Sequence, residues 1–289
     1  MQTLNQFLNR ASKEHWAIGH FNVSNLEQLK AVVSAAKKMQ APVMIGTSEG
    51  ERNWFGLENI VALVESFKKE WPNIFLNADH TKTVSAAQDA INTGFTSVHF
   101  DGSALSALEN TTKTKQVADY AKSKNSNISV EGELGYVKGE SQITGKRVEL
   151  SLSDYTNPEE AEHFVKSTGV DRLAIAIGNI HGINIDEPKL DFEKLSAIRK
   201  AVPENIAIVL HAGSGIPDED IKRAIECGIS NIHISTELRV AFREGMEESL
   251  KDNPKEYAPY KLDAQIVEDM EELISEKIRL FGSDGKAML

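Results

Sequence analysis

The chain alternates between short unbroken apolar runs and longer stretches in which apolar positions recur every three or four residues. The clearest short run is Ile206-Ala207-Ile208-Val209-Leu210. Five apolar residues without alternation suit a strand buried on both faces, as in a parallel sheet. The run stops at His211, and Ala212-Gly213-Ser214-Gly215 follows, small residues whose backbone amides can approach an anion closely. Ile216-Pro217-Asp218-Glu219 then opens a helix, with Pro217 in its first turn and acids at the positive end of its dipole. A candidate metal ligand and a candidate phosphate cradle thus share one turn. A tight connection with a solvated histidine is the plainer reading, and this stretch alone does not choose between the two.

The same pattern repeats along the chain. Strands are predicted over Ala17–Val23, Pro42–Gly46, Asn73–Ala78, Phe95–Phe100, Asn127–Val130, Arg172–Ile177 and Ile229–Ile234. Ser24-Asn25-Leu26-Glu27 is a capping-box pattern, and Leu26, Leu29, Val33 and Ala36 give the stripe of the helix behind it. Further helices are predicted over about Leu57–Lys69, Val84–Ile91, Leu105–Lys122 and Phe192–Lys200, after an Asn157 cap, and after Leu238. A last amphipathic helix runs over about Ala264–Phe281. Tyr136–Asp154 is polar and lacks a helical stripe, so it reads as the longest loop, and such loops are usually functional or disordered. Eight strand–helix units in this length predict a single (β/α)8 TIM barrel over residues 1–289, an α/β fold with an extra C-terminal helix. An open doubly wound sheet would normally carry a Gly-rich dinucleotide turn after its first strand, and Phe21-Asn22-Val23-Ser24-Asn25 is unlike one.

Composition narrows the partners. The 289 residues are 40% hydrophobic and 26% charged, an ordinary globular balance. A net charge of −11 argues against nucleic acid and anionic membranes as partners. An anionic small molecule would need local features to hold it: a metal, backbone amides or single Lys and Arg residues. One cysteine, Cys227, excludes an internal disulfide and a cysteine-based zinc cluster. Met1-Gln2-Thr3-Leu4-Asn5 has no basic region leading into an apolar run, and no apolar run reaches a membrane span, so a soluble cytoplasmic protein is expected.

In such a barrel the carboxyl ends of the strands share one mouth, where active sites lie. The predicted strands bring there Asn22, then Ser48 and Glu49, Asp79 and His80, Asp101, Glu131 and Glu133, His181, His211, and finally His233, Ser235 and Thr236. Of the eight histidines, His80, His181, His211 and His233 fall at strand ends. His15 and His163 read as surface residues, while His20 and His99 lie inside strands and read as hydrogen-bonded interior histidines. Three imidazoles converging on one mouth are a typical zinc set that leaves a position open for substrate. The alternative is separate polar residues lining a wet pocket. The loops after strands 7 and 8 each lead into a helix N-terminus, where barrels often bind phosphate.

These residues, in this order, resemble the class II, zinc-dependent fructose-1,6-bisphosphate aldolase family, which includes tagatose-bisphosphate aldolases. The resemblance runs nearly end to end. It rests on Phe21-Asn22-Val23, Ala78-Asp79-His80, Gly94-Phe95-Thr96-Ser97-Val98, Asp101-Gly102-Ser103, Glu131-Gly132-Glu133-Leu134-Gly135 and Gly178-Asn179-Ile180-His181-Gly182. It continues through Pro188-Lys189-Leu190-Asp191-Phe192, His211-Ala212-Gly213-Ser214-Gly215, Thr236-Glu237-Leu238-Arg239 and Lys277-Ile278-Arg279-Leu280-Phe281-Gly282-Ser283.

By position, the resemblance implies that His80, His181 and His211 bind the catalytic zinc, and that Asp79 is the acid/base at the substrate C4 hydroxyl. Gly182, Gly213, Ser214, Ser235 and Thr236 would hold the phosphate of the dihydroxyacetone phosphate half. Asp101, Glu131 and Glu133 match carboxylates near the metal that can bind a second cation, divalent or monovalent. Asn22, Ser48 and His233 complete the expected substrate contacts. Family members are commonly dimers or tetramers, so a homo-oligomer is expected. Breaking the C3–C4 bond leaves an enediolate, whose charge zinc stabilises as a Lewis acid. Class I enzymes use a lysine Schiff base instead, and no strand-end lysine reads as placed for one.

Three positions depart from the family pattern. Asn77 stands where a histidine usually precedes the catalytic Asp, and His233 where strand 8 usually carries Asn. The long loop reads Val137-Lys138-Gly139-Glu140-Ser141, with Ser141 in place of the acid assigned to proton exchange on the donor carbon. Glu140, next door, is the candidate replacement. The leading expectation is cleavage of fructose 1,6-bisphosphate to dihydroxyacetone phosphate and glyceraldehyde 3-phosphate. The alternatives are a lyase of another phosphorylated ketose (tagatose 1,6-bisphosphate or a phosphorylated deoxy-keto acid) and a metal-binding scaffold without turnover.

Overall fold

The structure, a computed structural model, describes residues 2–144, 147–185 and 187–288. Residues 145 and 146 of the long loop lie outside that description, as do Met1, Asp186 and Leu289. Eight parallel strands close a barrel: β1 (Ile18–Asn22), β2 (Val43–Thr47), β3 (Ile74–Thr81), β4 (Ser97–Phe100), β5 (Ser129–Leu134), β7 (Arg172–Ile175), β9 (Ala207–Leu210) and β10 (Ile229–Ile234). Each pairs with its neighbours in chain order, and β10 returns to pair with β1. This is the predicted (β/α)8 barrel. Two short strands, β6 (Gly139–Ile143) and β8 (His181–Ile183), form a separate parallel pair outside it.

Helices surround the barrel: α2 (Leu26–Lys38), α4 (Leu57–Lys68), α5 (Val84–Thr93), α6 (Ala107–Lys124), α7 (Pro158–Thr168), α8 (Phe192–Ala201), α9 (Asp218–Glu226) and α10 (Thr236–Asp252). The extra C-terminal helix, α11 (Pro259–Leu280), starts five residues earlier than its stripe suggested, with Pro259 in its first turn. It packs against α2 and α10. No helix of the described residues is long and apolar enough to cross a membrane.

Local chemistry corrects several boundaries. Asn25, not Ser24, caps α2: its side chain accepts from the Gln28 amide, and Gln28 Oε1 in turn accepts from the Ser24 amide. Pro217 sits one residue ahead of α9, as its N-cap. Two helices escaped the pattern. Helix α1 (Leu4–Glu14) opens on a Thr3–Gln6 capping box and buries Leu4, Phe7, Leu8 and Ala11. With Trp16, Ile18, Met44, Phe75 and Ala207 they form an apolar cluster at the start of the barrel strands, opposite the mouth. Helix α3 (Glu49–Phe55) opens on a Ser48–Glu51 capping box and is only seven residues long, too short for a stripe to show.

The barrel interior is polar. Arg172, wholly buried, reaches from β7 to Glu131, Asn231, Asn77 and Ser97. Asn77 Oδ1 also accepts from the Ser97 hydroxyl, and Asn77 Nδ2 lies 3.0 Å from His20 Nε2. So the Asn77 departure sits one layer below the mouth, where its amide completes a network around the arginine. A buried cation needs such partners.

Candidate active site

Most of the predicted residues meet at the mouth. One cleft is lined by Asn22, Ser48, Asp79, His80, Ser141, His181, Gly182, His211, Ser214, His233, Ser235 and Thr236, with Arg239 beside them. An adjoining pocket, shared through His80, His181 and Ser141, takes in Lys82, Asp101, Ser103, Glu133 and Glu140. Gly213 and Glu131 are buried and line neither pocket.

Neighbouring residues of a regular strand point to opposite faces, yet Asp79 and His80 both reach the mouth. A register shift against β4 falls between Ala78 and Thr81, and His80 has φ +44°. That irregularity re-aims the two side chains. Ala212, directly after His211, is likewise left-handed at φ +58°. A side chain at such an angle is strained; His80 is itself a candidate metal ligand, and Ala212 adjoins another.

His181 is the main topological surprise. Strand β7 stops at Ile175, so His181 is not at a barrel strand end but opens β8. Its backbone N–H donates to Lys138 O, and β8 pairs with β6 from the long loop. The segment Tyr136–Asp154 is therefore not a structureless loop: it holds β6 and a 3₁₀ turn at Leu152–Asp154. The short, largely exposed β6 lacks the alternation by which strands are recognised.

The three imidazoles share one design. His80 Nδ1 lies 2.9 Å from Asp101, His181 Nδ1 3.3 Å from Val137 O, and His211 Nε2 2.6 Å from Glu131. Each ring thus gives one nitrogen to an oxygen partner, which sets its orientation and leaves the other nitrogen available. The His80 centroid stands 5.3 Å from His181 and 4.9 Å from His211, with 6.3 Å between those two. The donor group with the most members is somewhat different: Asp79, His80, His99 and His211 present ligand atoms within 4.8 Å of one another. His80, Asp101 and Glu133 form a second such group. This donor chemistry, imidazole and carboxylate with partnered outer nitrogens, fits a divalent cation such as zinc.

Electrostatics favour the neutral, ligand-ready form for two of the three rings. Burial, helped by His99 and His80, holds the His211 ring well below its usual pKa, so it is neutral. Burial and the charge of His80 lower His181 to about 4. On His80 the desolvation penalty is outweighed by Asp79 and Asp101, which raise its pKa. Asp79 is buried, but His80, His233 and His99 override the desolvation and keep it ionised. Asn22 Nδ2 donates to its Oδ2 at 3.1 Å, while Oδ1 has no aligned donor.

His233 stacks on His20 at 3.6 Å, nearly parallel, and lies 3.9 Å from the His211 ring. Its Nδ1 is 3.5 Å from Asp79 Oδ1, and burial followed by His211 lowers its pKa to about 3. His99, expected as an interior histidine, is wholly buried. It also belongs to the site: it lies 3.5 Å from Asp79 and 3.1 Å from Glu133, and its Nδ1 accepts from the His80 amide.

The anion cradle is partly closed on itself. The Gly213 amide donates to His233 O, and the Gly215 amide to Glu237 Oε1. Ser214 Oγ accepts from the amides of Ser235 and Glu237, while Ser235 Oγ is buried without a partner. Ser48 caps α3, and its amide donates to Glu51 Oε2. Ser141 borders the cleft. Glu140, the next residue along β6, is exposed, lines only the adjoining pocket and accepts from Gln142.

Three contributors were missed. Glu51 accepts from Asn22 and pairs with Arg239, which also donates to Ser141 O. Arg239 ends the Thr236-Glu237-Leu238-Arg239 motif, three residues into α10, where its position alone does not mark it as bordering the cleft. Lys82 follows β3 directly and pairs with Asp101. A lysine therefore does stand at a strand end, at the border of the adjoining pocket. Burial opposes its charge, but Asp101 raises its pKa, so it is an ammonium rather than the free amine a Schiff base needs.

Comparison with known proteins agrees with the geometry. Residues 2–286 match the family described as fructose-bisphosphate aldolase class-II. A protein of Alkalicoccus urumqiensis named sulfofructosephosphate aldolase is 42% identical over 283 residues, 97% of this chain and 96% of that one. The fructose-bisphosphate aldolase of Geobacillus stearothermophilus is 37% identical over 290 residues, 99% and 98% of the two chains. Among solved structures, the YdjI aldolase of Escherichia coli K12 superposes with a TM-score of 0.84 at 35% identity, covering 98% of each chain. The chain belongs to the class II fructose-bisphosphate aldolase family.

Proposed function

We propose that this protein is a zinc-dependent aldolase that reversibly splits a ketose 1-phosphate carrying a second anionic group at C6. The leading substrate is fructose 1,6-bisphosphate, giving dihydroxyacetone phosphate and glyceraldehyde 3-phosphate. One observation carries the reading: three oriented imidazoles, His80, His181 and His211, border the same cleft as an ionised, buried Asp79. Asp79 accepts the C4 hydroxyl proton as the C3–C4 bond breaks, the aldehyde leaves, and C3 takes up a proton in its place. When bound, the cation supplies Lewis-acid stabilisation of the charge that develops on the ketose oxygens. Asn22 and His233 flank Asp79 and fix its orientation. Gly182, Ser214, Ser235 and Thr236 line the cleft wall that takes the C1 phosphate, where the unpartnered Ser235 hydroxyl is available to it. A sulfonate in place of the C6 phosphate is the second reading, favoured by the relative named sulfofructosephosphate aldolase. A C4 epimer, tagatose 1,6-bisphosphate, is the third. We further propose that the protein works in the cytoplasm as a homo-oligomer.

Metal-stripped protein, reloaded with zinc or cobalt, is assayed for dihydroxyacetone phosphate release from fructose 1,6-bisphosphate, tagatose 1,6-bisphosphate and 6-deoxy-6-sulfofructose 1-phosphate. Metal-dependent cleavage of the first supports the leading reading, and preference for either of the others replaces the substrate. Full activity without metal, or inactivation by borohydride in the presence of substrate, overturns the mechanism.

A further inference from the structure

Family resemblance implies that Asp101, Glu131 and Glu133 can hold a second cation. In this chain two of the three carboxylates are already matched by cations of the protein. Glu131 sits 2.7 Å from the Arg172 guanidinium through Oε2 and 2.6 Å from His211 through Oε1. Asp101 Oδ1 accepts from the Ser103 amide and hydroxyl, at 3.2 Å and 2.6 Å. Asp101 Oδ2 receives His80 Nδ1 at 2.9 Å and the Lys82 ammonium. A carboxylate offers about four lone-pair sites, so Asp101 has none to spare. Glu133 keeps Oε2 buried without an aligned donor, 3.1 Å from His99 Nε2.

The surrounding geometry would otherwise suit a cation. His80, Asp101 and Glu133 present ligand atoms within 4.8 Å of one another, and the adjoining pocket opens onto them. What stands there instead is Lys82, anchored by its own amide to Glu49 Oε1 at 3.0 Å and half-exposed along its side chain. We infer that the Lys82 ammonium is a built-in replacement for the second cation, holding Asp101, and through it His80, in place. Lys82 is thus a positioning residue. It touches no reacting atom, and its charge makes the site independent of a dissociable ion at this position. The inference concerns the aldolase reading of the same cleft, but its test does not use turnover.

The test is Mn²⁺ uptake by zinc-loaded protein, followed by loss of the free-ion electron paramagnetic resonance signal. Mn²⁺ is a hard probe suited to carboxylate oxygens. The parent and Lys82→Arg should take up equal amounts, because both keep a cation on Asp101. Lys82→Met should take up one Mn²⁺ per chain more than the parent, and Lys82→Met combined with Asp101→Asn should lose that extra ion. Lys82 is half-exposed, so its replacement leaves the core intact, and an unchanged circular dichroism melt checks this. Equal uptake by the parent and Lys82→Met overturns the inference, as does an extra ion that survives Asp101→Asn. If the parent cleaves no ketose phosphate but the uptake difference stands, the proposed function fails and this inference does not. An active parent with no difference gives the reverse.

Discussion

The acid/base role can be tested through a single side chain. Asp79→Ala should lower carbon–carbon cleavage by about 10²–10⁴-fold, as the loss of a positioned acid/base does. Zinc content by atomic emission should stay unchanged. A near-normal rate would remove Asp79 from the mechanism. The donor-carbon proton poses a separate question. Ser141 borders the cleft, while Glu140 faces the adjoining pocket, as expected for neighbours on a strand. Ser141→Glu should therefore speed exchange of the dihydroxyacetone phosphate C3 proton with deuterated solvent, and Glu140→Ala should leave it unchanged. If Glu140→Ala slows exchange strongly, Glu140 is the base. Asp79, His80 and His211 were legible in the sequence because each stands at the end of an apolar run. His99 was not, since an interior strand position looks alike whether the ring faces apolar neighbours or carboxylates. Glu51 and Lys82 were hidden for a related reason: a charged residue in or beside a surface helix has no pattern that marks it as turned inward.

Elements read well where burial imposes a period. The eight barrel strands are largely buried and carry enough apolar residues to be read in order, although their buried positions include polar side chains. The β6–β8 pair stayed invisible because β6 is exposed and its pairing partner lies about forty residues on, a separation that no local pattern encodes. That pair depends on glycine at two points, Gly139, where an added Cβ would stand 2.4 Å from His181 O, and Gly182. Gly182 has φ +92°, and an added Cβ would stand 2.5 Å from both the Glu140 and Gln142 carbonyl oxygens. Gly182→Ala should therefore unseat β6 from β8 while the barrel stays folded. The expected result is faster proteolysis within Tyr136–Asp154 and weaker Co²⁺ binding by the neighbouring His181. Unchanged cobalt affinity would separate the strand pair from the metal site.

For the whole molecule, the most consequential residue is Arg172, buried in the barrel where an apolar filling is usual. Removing one member of a buried ion pair leaves the other uncompensated and typically costs about 3–5 kcal/mol. Arg172→Met should lower the urea midpoint by a corresponding amount and loosen His211 through Glu131. A variant as stable as the parent would show that Glu131 finds another partner. Sequence gave no hint of this core, because an arginine at the start of a strand usually turns to solvent.

The way β8 is hung has a further consequence. His181 is both the first residue of that strand and, through its amide, the donor to the Lys138 carbonyl. The wall over the cleft and one imidazole of the candidate metal set are thus a single lever. Any ligand that draws β6 inward shifts His181 with it, and any ion that seizes His181 pulls on β6. If the protein binds metal and sugar phosphate as proposed and the lever couples them, reciprocity makes sugar phosphate tighten metal binding by the same factor by which metal tightens sugar phosphate binding. The protein would hold its ion most firmly while occupied and release it most readily at rest.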